Sequence, residues 1–231
     1  MCKVISIVNQ KGGCSKTTSA VNIGIGLANA GKKVVLIDAD AQGSLTASLG
    51  FQKPDELKVT LATIMAKTIN EEEIDLSKVI LHHEEGVDLV PGNIELSGLE
   101  VQLSNVLSRE LILKEFIDSL RDFYDYILID CAPSLGMMTI NALVAADEVI
   151  IPVQAAYLPV KGLQQLMKTI NMVKRRLNKK LQIDGILLAM VDYRTTFARN
   201  ISAELFAAYG ESVGIFENYI PEGAEDGGKA E

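Results

Sequence analysis

Val4-Ile5-Ser6-Ile7-Val8-Asn9-Gln10-Lys11-Gly12-Gly13-Cys14-Ser15-Lys16-Thr17-Thr18 opens the chain with an apolar run, a glycine-containing turn and the start of a helical pattern. Strand, turn, Lys-Thr and helix are the parts a phosphate-binding loop requires. Gly12 and Gly13 let the backbone approach an anion with its N–H groups turned inward. A helix starting near Lys16 presents its positive dipole end to the same point. Lys16 is placed to reach the β- and γ-phosphates of a nucleotide, and the Thr17 hydroxyl to bind Mg²⁺. The pattern is K-G-G-x-x-K-[ST]; aligned on Lys16, Gln10 and Ser15 stand where the common form of the loop has its two glycines.

Outward from this loop, short apolar runs alternate with helical stretches. The runs are Val4–Val8, Val34–Ile37, Val87–Val90, Tyr126–Ile129, Val149–Val153 and Ile186–Val191. The helical stretches are Thr17–Ala30, Glu110–Phe123, Met137–Ala145, Val160–Leu177 and Ile201–Tyr209. This rhythm predicts an α/β fold, a single-domain P-loop NTPase with a mostly parallel, twisted sheet and helices on both faces. In such sheets ligands bind at the carboxyl ends of the strands. The more polar stretch Lys53–Glu85 reads as an irregular peripheral insertion. Residues 1–221 are expected to form the ATPase domain, and 222–231 a disordered, acidic, glycine-rich tail.

Two further aspartate signals fall at strand ends. The second strand runs into Asp38-Ala39-Asp40, and the run Tyr126–Ile129 ends in Asp130, as a Mg²⁺-supporting strand should. Cys14 lies among electropositive loop N–H groups, which predicts a thiolate-prone side chain.

Composition limits the function classes. The chain has 231 residues, 48% of them hydrophobic and 23% charged, enough for one large core. Aromatics make up only 5%, so the core is mainly aliphatic, as a parallel sheet buried on both faces demands. The net charge of −8 argues against a permanent nucleic-acid coat and against strong attraction to an anionic membrane. Cys2, Cys14 and Cys131 form no CxxC pair, so neither a zinc site nor a disulfide framework is indicated. No signal peptide or spanning run is read, and a cytoplasmic location is expected. His82 and His83 alternate across a strand and do not share a metal.

The sequence resembles the ParA/Soj partition ATPases. The pieces that carry the likeness are NQKGGCSKTTSAVNIGIGLANAGKKVVLIDADAQGS (9–44), YDYILIDCAPSLGMMTINAL (124–143), ADEVIIPVQAAYLPVKGLQQL (146–166) and GILLAMVDYRTTFAR (185–199). The resemblance implies ATP and Mg²⁺ as cofactors. Lys11 would reach across a dimer to the partner's nucleotide. Gly12, Gly13, Cys14, Ser15, Lys16, Thr17 and Thr18 would cradle the phosphates, with Lys16 and Thr17 serving the β/γ end and Mg²⁺. Asp40 would position the attacking water, and Asp38 and Asp130 would hold the Mg²⁺ shell. Base contact is assigned to Met190, Asp192 and Pro221. The implied partners are a second copy of the chain with ATP, non-specific DNA, and a centromere-binding, ParB-like activator; no membrane role is implied. The implied location is cytoplasmic, on the nucleoid in the ATP state, with slow hydrolysis in the absence of the activator.

Three departures from the family pattern stand out. Ser15 occupies a position where most relatives have glycine, Ala132 replaces a proline, and the expected basic segment does not follow Pro221. Two other readings therefore stay open: a nucleotide switch that recruits a protein without segregating DNA, and an ATP-binding homologue deficient in hydrolysis. Arg194 and Arg199 read equally as a DNA-facing pair or as solvated arginines. Lys174, Arg175, Arg176, Lys179 and Lys180 read as a helix-end complement to the macrodipole or as a phosphate-binding patch.

Overall fold

The apolar runs become strands that are buried on both sides. In a computed structural model that describes residues 2–154, 160–192, 194–210 and 213–221, the strands are β1 (Lys3–Ile7), β2 (Val34–Ala39), β3 (Leu81–His82), β4 (Val87–Val90), β5 (Tyr126–Cys131), β6 (Glu148–Gln154) and β7 (Gln182–Ala189). The helices are α1 (Lys16–Asn29), α2 (Ser44–Ser48), α3 (Leu61–Ile69), α4 (Leu76–Val79), α5 (Glu95–Leu103), α6 (Ile112–Leu120), α7 (Met137–Ala145), α8 (Val160–Arg176) and α9 (Thr196–Tyr209). One sheet holds all seven strands in the order β3-β4-β2-β5-β1-β6-β7. Every pairing is parallel except β3 with β4 at the edge. The predicted α/β architecture is the observed one.

Alternation along each strand divides the core. Val4, Val35, Ile37, Ile127 and Ile129 face a large layer that includes Ile64 of α3, Phe116 of α6, Leu143 of α7, Leu166 of α8 and Leu205 of α9. Ile5, Ile7, Leu36, Leu128 and Ile150 face a smaller layer with Ala20 and Val21 of α1 and Leu45 of α2. From β1 the chain crosses over β5 to reach β2, and from β5 it crosses over β1 to reach β6. These opposed crossovers leave a crevice at the carboxyl ends of β1 and β5, where such sheets take their ligands. The loop 9–15 follows β1 into that crevice.

The expectations need correction at four points. Lys53–Glu85 is not an irregular insertion: it contains α3, whose Leu61, Ile64 and Met65 are fully buried. Their i, i+3, i+4 spacing is a helical face in the midst of polar flanks. Glu95–Leu103 forms a helix, where no regular element was expected, buried through Leu96, Leu99 and Leu103. Strand β7 begins at Gln182, not Ile186, because backbone pairing with β6 continues past its polar start. Helix α9 likewise begins at Thr196, not Ile201; the Thr195 hydroxyl caps it by accepting from the Ala198 amide at 3.2 Å.

Residues 213–221 run beside β7. Ile186 N donates to Gly214 O, Phe216 N to Ile186 O, Ile220 N to Leu188 O and Val191 N to Ile220 O, at 2.9–3.1 Å. The expected tail 222–231 lies outside the described residues.

Candidate functional site

Asn9 anchors the loop before it turns. Its Nδ2 donates to Pro152 O on β6 at 2.6 Å, and its Oδ1 accepts from Lys11 N at 3.0 Å. Gly13 has φ +69 and Ser15 φ +64, so two left-handed residues turn the backbone into α1. The second is a serine, which costs about 1–2 kcal/mol where glycine would cost nothing. A Cβ added at Gly12 or Gly13 would meet nothing within 4 Å, so the space beside both glycines is open. Lys16 points back across it: its Nζ donates to Lys11 O at 3.1 Å and lies 3.9 Å from Cys14 Sγ. Lys16 is only 7% exposed, and among the described residues no carboxylate stands within ion-pair distance of it. A buried ammonium held by a carbonyl and a thiol is poised for a stronger anion.

Cys14 corrects the thiolate expectation. It is buried, and its Sγ donates to Lys11 O at 3.2 Å. Desolvation pushes its pKa up, and Lys16 opposes this only in part. The thiol packs beneath the loop as a small apolar group.

The carboxylates come from two neighbouring strands, where Asp38 of β2 and Asp130 of β5 are register partners. Thr17 Oγ1 donates to Asp130 Oδ2 at 2.6 Å, which fixes helix α1 to the end of β5. Asp130 Oδ1 is buried and has no hydrogen-bond partner among the described residues. Burial pushes the Asp130 carboxyl up to about 7, against the lowering effect of Thr17. Burial likewise pushes Asp38 up to about 6. Its oxygens are engaged, however: Oδ2 accepts from Thr46 N and Thr46 Oγ1, at 2.8 and 2.6 Å, and Oδ1 accepts from Asp40 N at 3.2 Å. Asp40 itself is half-buried in the next loop, where its Oδ1 accepts from Gln42 N at 3.0 Å.

A divalent cation fits the Thr17–Asp130 pair. The unpartnered Asp130 oxygen is an acceptor with no donor, and the hydroxyl beside it is the second oxygen of a hard-cation shell. Among the described residues no group of three or more His, Cys, Asp or Glu side chains is arranged to hold a metal by itself. The remaining ligands would come from phosphate and water, as Mg²⁺ prefers.

The sequence-derived residues fall into two groups. Lys11 to Thr18, Asp38, Asp40 and Asp130 converge on the ends of β1, β2 and β5. Met190, Asp192 and Pro221 gather at the end of β7, through the pairing of Val191 with Pro221. Asp192 is held there by a two-pronged contact with Arg194, at 2.8 and 3.0 Å. Asn9, Thr46 and Gly92 were missed. No local pattern marks them, because the contacts Asn9–Pro152 and Thr46–Gly92 join residues far apart in the sequence. Lys174, Arg175 and Arg176 close the last turn of α8.

The chain is similar to known proteins over most of its length. The family model AAA_31, described as an AAA domain, matches residues 2–183. The chain is 41% identical to the sporulation initiation inhibitor protein Soj of Bacillus subtilis (strain 168), over 96% of this chain and 85% of that protein. It is 40% identical to the chromosome-partitioning ATPase Soj of Treponema pallidum (strain Nichols), over 96% of this chain and 83% of that protein. Among solved structures, it is similar to cobyrinic acid a,c-diamide synthase from Mycobacterium smegmatis with bound ATP analog and magnesium. The TM-score there is 0.90 and the identity 35%, over 98% of this chain and 90% of that one.

Proposed function

The chain belongs to the ParA/Soj family of partition ATPases, and we propose that it works as one: an ATP-driven dimerising switch that serves the segregation of plasmid, chromosome or mobile-element DNA. The observation that carries this reading is the Thr17–Asp130 pair, with its unpartnered carboxylate oxygen, beside the open glycine loop and the buried Lys16.

In this reading the loop amides from Gly12 to Thr18 hold the phosphates of ATP. Lys16 exchanges its contact with Lys11 O for the β/γ-phosphates. Thr17 and Asp130 hold Mg²⁺, which when bound neutralises charge on the transferring phosphoryl group. Asp40 orients the attacking water; Asp38, expected in the Mg²⁺ shell, has both oxygens engaged by Thr46 and the Asp40 amide and instead holds Asp40 from behind. Lys11 completes the site from a second copy of the chain and stabilises the charge spread over the γ-phosphoryl oxygens. Met190, Asp192 and Pro221 frame the base. ATP at a two-fold interface then acts as the glue of the dimer. The dimer doubles any weak basic surface, which makes non-specific DNA binding depend on ATP. A centromere-bound activator speeds an otherwise slow hydrolysis and resets the switch. The location is the cytoplasm, on the nucleoid in the ATP state. Among the described residues no helix is long and apolar enough to cross a membrane.

The test is a salt titration of binding to random-sequence duplex, with the oligomeric state followed in parallel. With a non-hydrolysable ATP analogue the chain should dimerise and bind; with ADP it should do neither. Log affinity should fall linearly with log salt, with a shallow slope because phosphate contacts are few. A second reading, recruitment of a protein partner without DNA, is favoured by the net charge of −8. A chain that dimerises with the analogue yet binds no duplex at low salt would select it.

A further inference from the structure

Thr46 lies in α2, the short helix after the Asp40 loop, and is fully buried. Its hydroxyl is 2.6 Å from Asp38 Oδ2, 3.0 Å from Gly92 N and 3.4 Å from Gly92 O. A hydroxyl has one proton to donate. The short contact to the carboxylate takes it, the Gly92 amide donates into a lone pair, and Gly92 O is left as a neighbour. The Thr46 amide donates to the same Asp38 oxygen at 2.8 Å. Through its other oxygen, Asp38 accepts the Asp40 amide at 3.2 Å. One hydrogen-bonded line thus runs from the end of β4, at Gly92, through Thr46 and Asp38 to the backbone of Asp40.

The line has little slack. A Cβ at Gly92 would stand 2.4 Å from Asp38 O and 3.0 Å from its Cγ. A Cβ at Gly43, in the loop between Asp40 and Thr46, would stand 3.0 Å from Gly92 O. The two loops are in contact at backbone distance, and Thr46 is the only side chain seen to bond both Asp38 and Gly92 among the described residues. Charge-assisted hydrogen bonds to a buried carboxylate are the strong kind, and such a carboxylate orients what it accepts from.

We propose that Thr46 is a positioning residue for ATP hydrolysis: its hydroxyl fixes Asp38, and through Asp38 the Asp40 loop, in register with the end of β4. The proposal rests on the ATPase reading above. It assigns Thr46 no contact with nucleotide or metal, so its removal lowers turnover and leaves nucleotide affinity in place.

The test compares Thr46→Val, which keeps the shape and removes the hydroxyl, with Thr46→Ser, which keeps the hydroxyl. Thr46→Val should lower kcat by about 10- to 100-fold, the usual cost of a lost outer-shell partner. Nucleotide Kd should stay within about three-fold, which separates transition-state from ground-state effects. Thr46→Ser should recover most of kcat. In an Asp40→Ala background Thr46→Val should cost less than about two-fold more, because residues acting in one line are not additive. Wild-type kcat in Thr46→Val, equal loss in both variants, or full additivity with Asp40→Ala would overturn the role. If the wild-type chain binds Mg-ATP without any turnover, the ATPase reading itself fails, a result distinct from these. Should Thr46→Val not fold, hydrogen exchange in the wild-type chain decides. The amides of Asp40, Thr46 and Gly92 should open at a common rate, and rates spread over more than about ten-fold would overturn the line.

Discussion

Lys16→Ala is expected to lose ATP binding while keeping the fold. Lys16 contributes a single 3.1 Å hydrogen bond to a backbone carbonyl and a long contact to a thiol. Removing it deprives no carboxylate of a partner among the described residues, so the melting temperature should move little. With ATP bound, the same ammonium would be the buried cation, among the described residues of its own subunit, directed at the β- and γ-phosphates. Truncating a buried, hydrogen-bonded charge against its partner costs about 3–5 kcal/mol, on the order of 10²- to nearly 10⁴-fold in Kd. Calorimetric titration with ATP and Mg²⁺ measures this directly. Near-wild-type affinity in a folded variant would remove Lys16 from the phosphate site. A variant that no longer folds would show that Lys16 is structural.

Asp130→Asn should separate the metal from the nucleotide. The amide still accepts from Thr17 Oγ1 but presents no negative oxygen to a cation. Mg²⁺-dependent turnover should fall by about 100-fold or more, with ATP bound less tightly. The stability of the metal-free chain should move the other way. Burial pushes the folded Asp130 carboxyl up to about 7, from its unfolded range near 4. Below about pH 4 it is protonated in both states. As pH rises from there to about 7, ionisation favours the unfolded chain, so metal-free stability is lost over that window. Asp38, raised to about 6, acts with the same sign. Asp130→Asn removes the larger part of this loss. Without metal it should melt above the wild type at pH 8 and level with it at pH 4. A lower melting temperature at pH 8 would show that Asp130 is ionised and paired in the metal-free chain.

The parts of this site legible in the sequence are those whose partners are adjacent in the chain. Gly12, Gly13, Lys16 and Thr17 act within a single turn, and their chemistry needs only a strand before and a helix after. Asp130 was legible for a related reason: an apolar strand that ends in a carboxylate places it at the carboxyl edge wherever the strand sits. The family resemblance added roles for Lys11, Asp38 and Asp40. Asn9, Thr46 and Gly92 were not legible, because their roles depend on which strands are neighbours. Asn9 reaches Pro152 only because β1 lies beside β6, and Thr46 meets Gly92 only because β2 lies beside β4. Ser15 shows what backbone geometry adds to a pattern. Its left-handed φ explains why glycine suits that position, and locates the strain that serine carries there. The same limit explains Lys53–Glu85. Its charged flanks outweigh the buried Leu61, Ala62, Ile64 and Met65, and only the packing of α3 on the sheet makes them core.

The central claim is that the Thr17–Asp130 pair and Lys16 together hold Mg-ATP for hydrolysis. Phosphate release by the wild-type chain, measured with Mg²⁺ and with the metal chelated, tests it most directly. The account predicts slow release that saturates with ATP, stops on chelation and is absent from Lys16→Ala. Tight ATP binding with no phosphate released over many hours, with or without Mg²⁺, would contradict it.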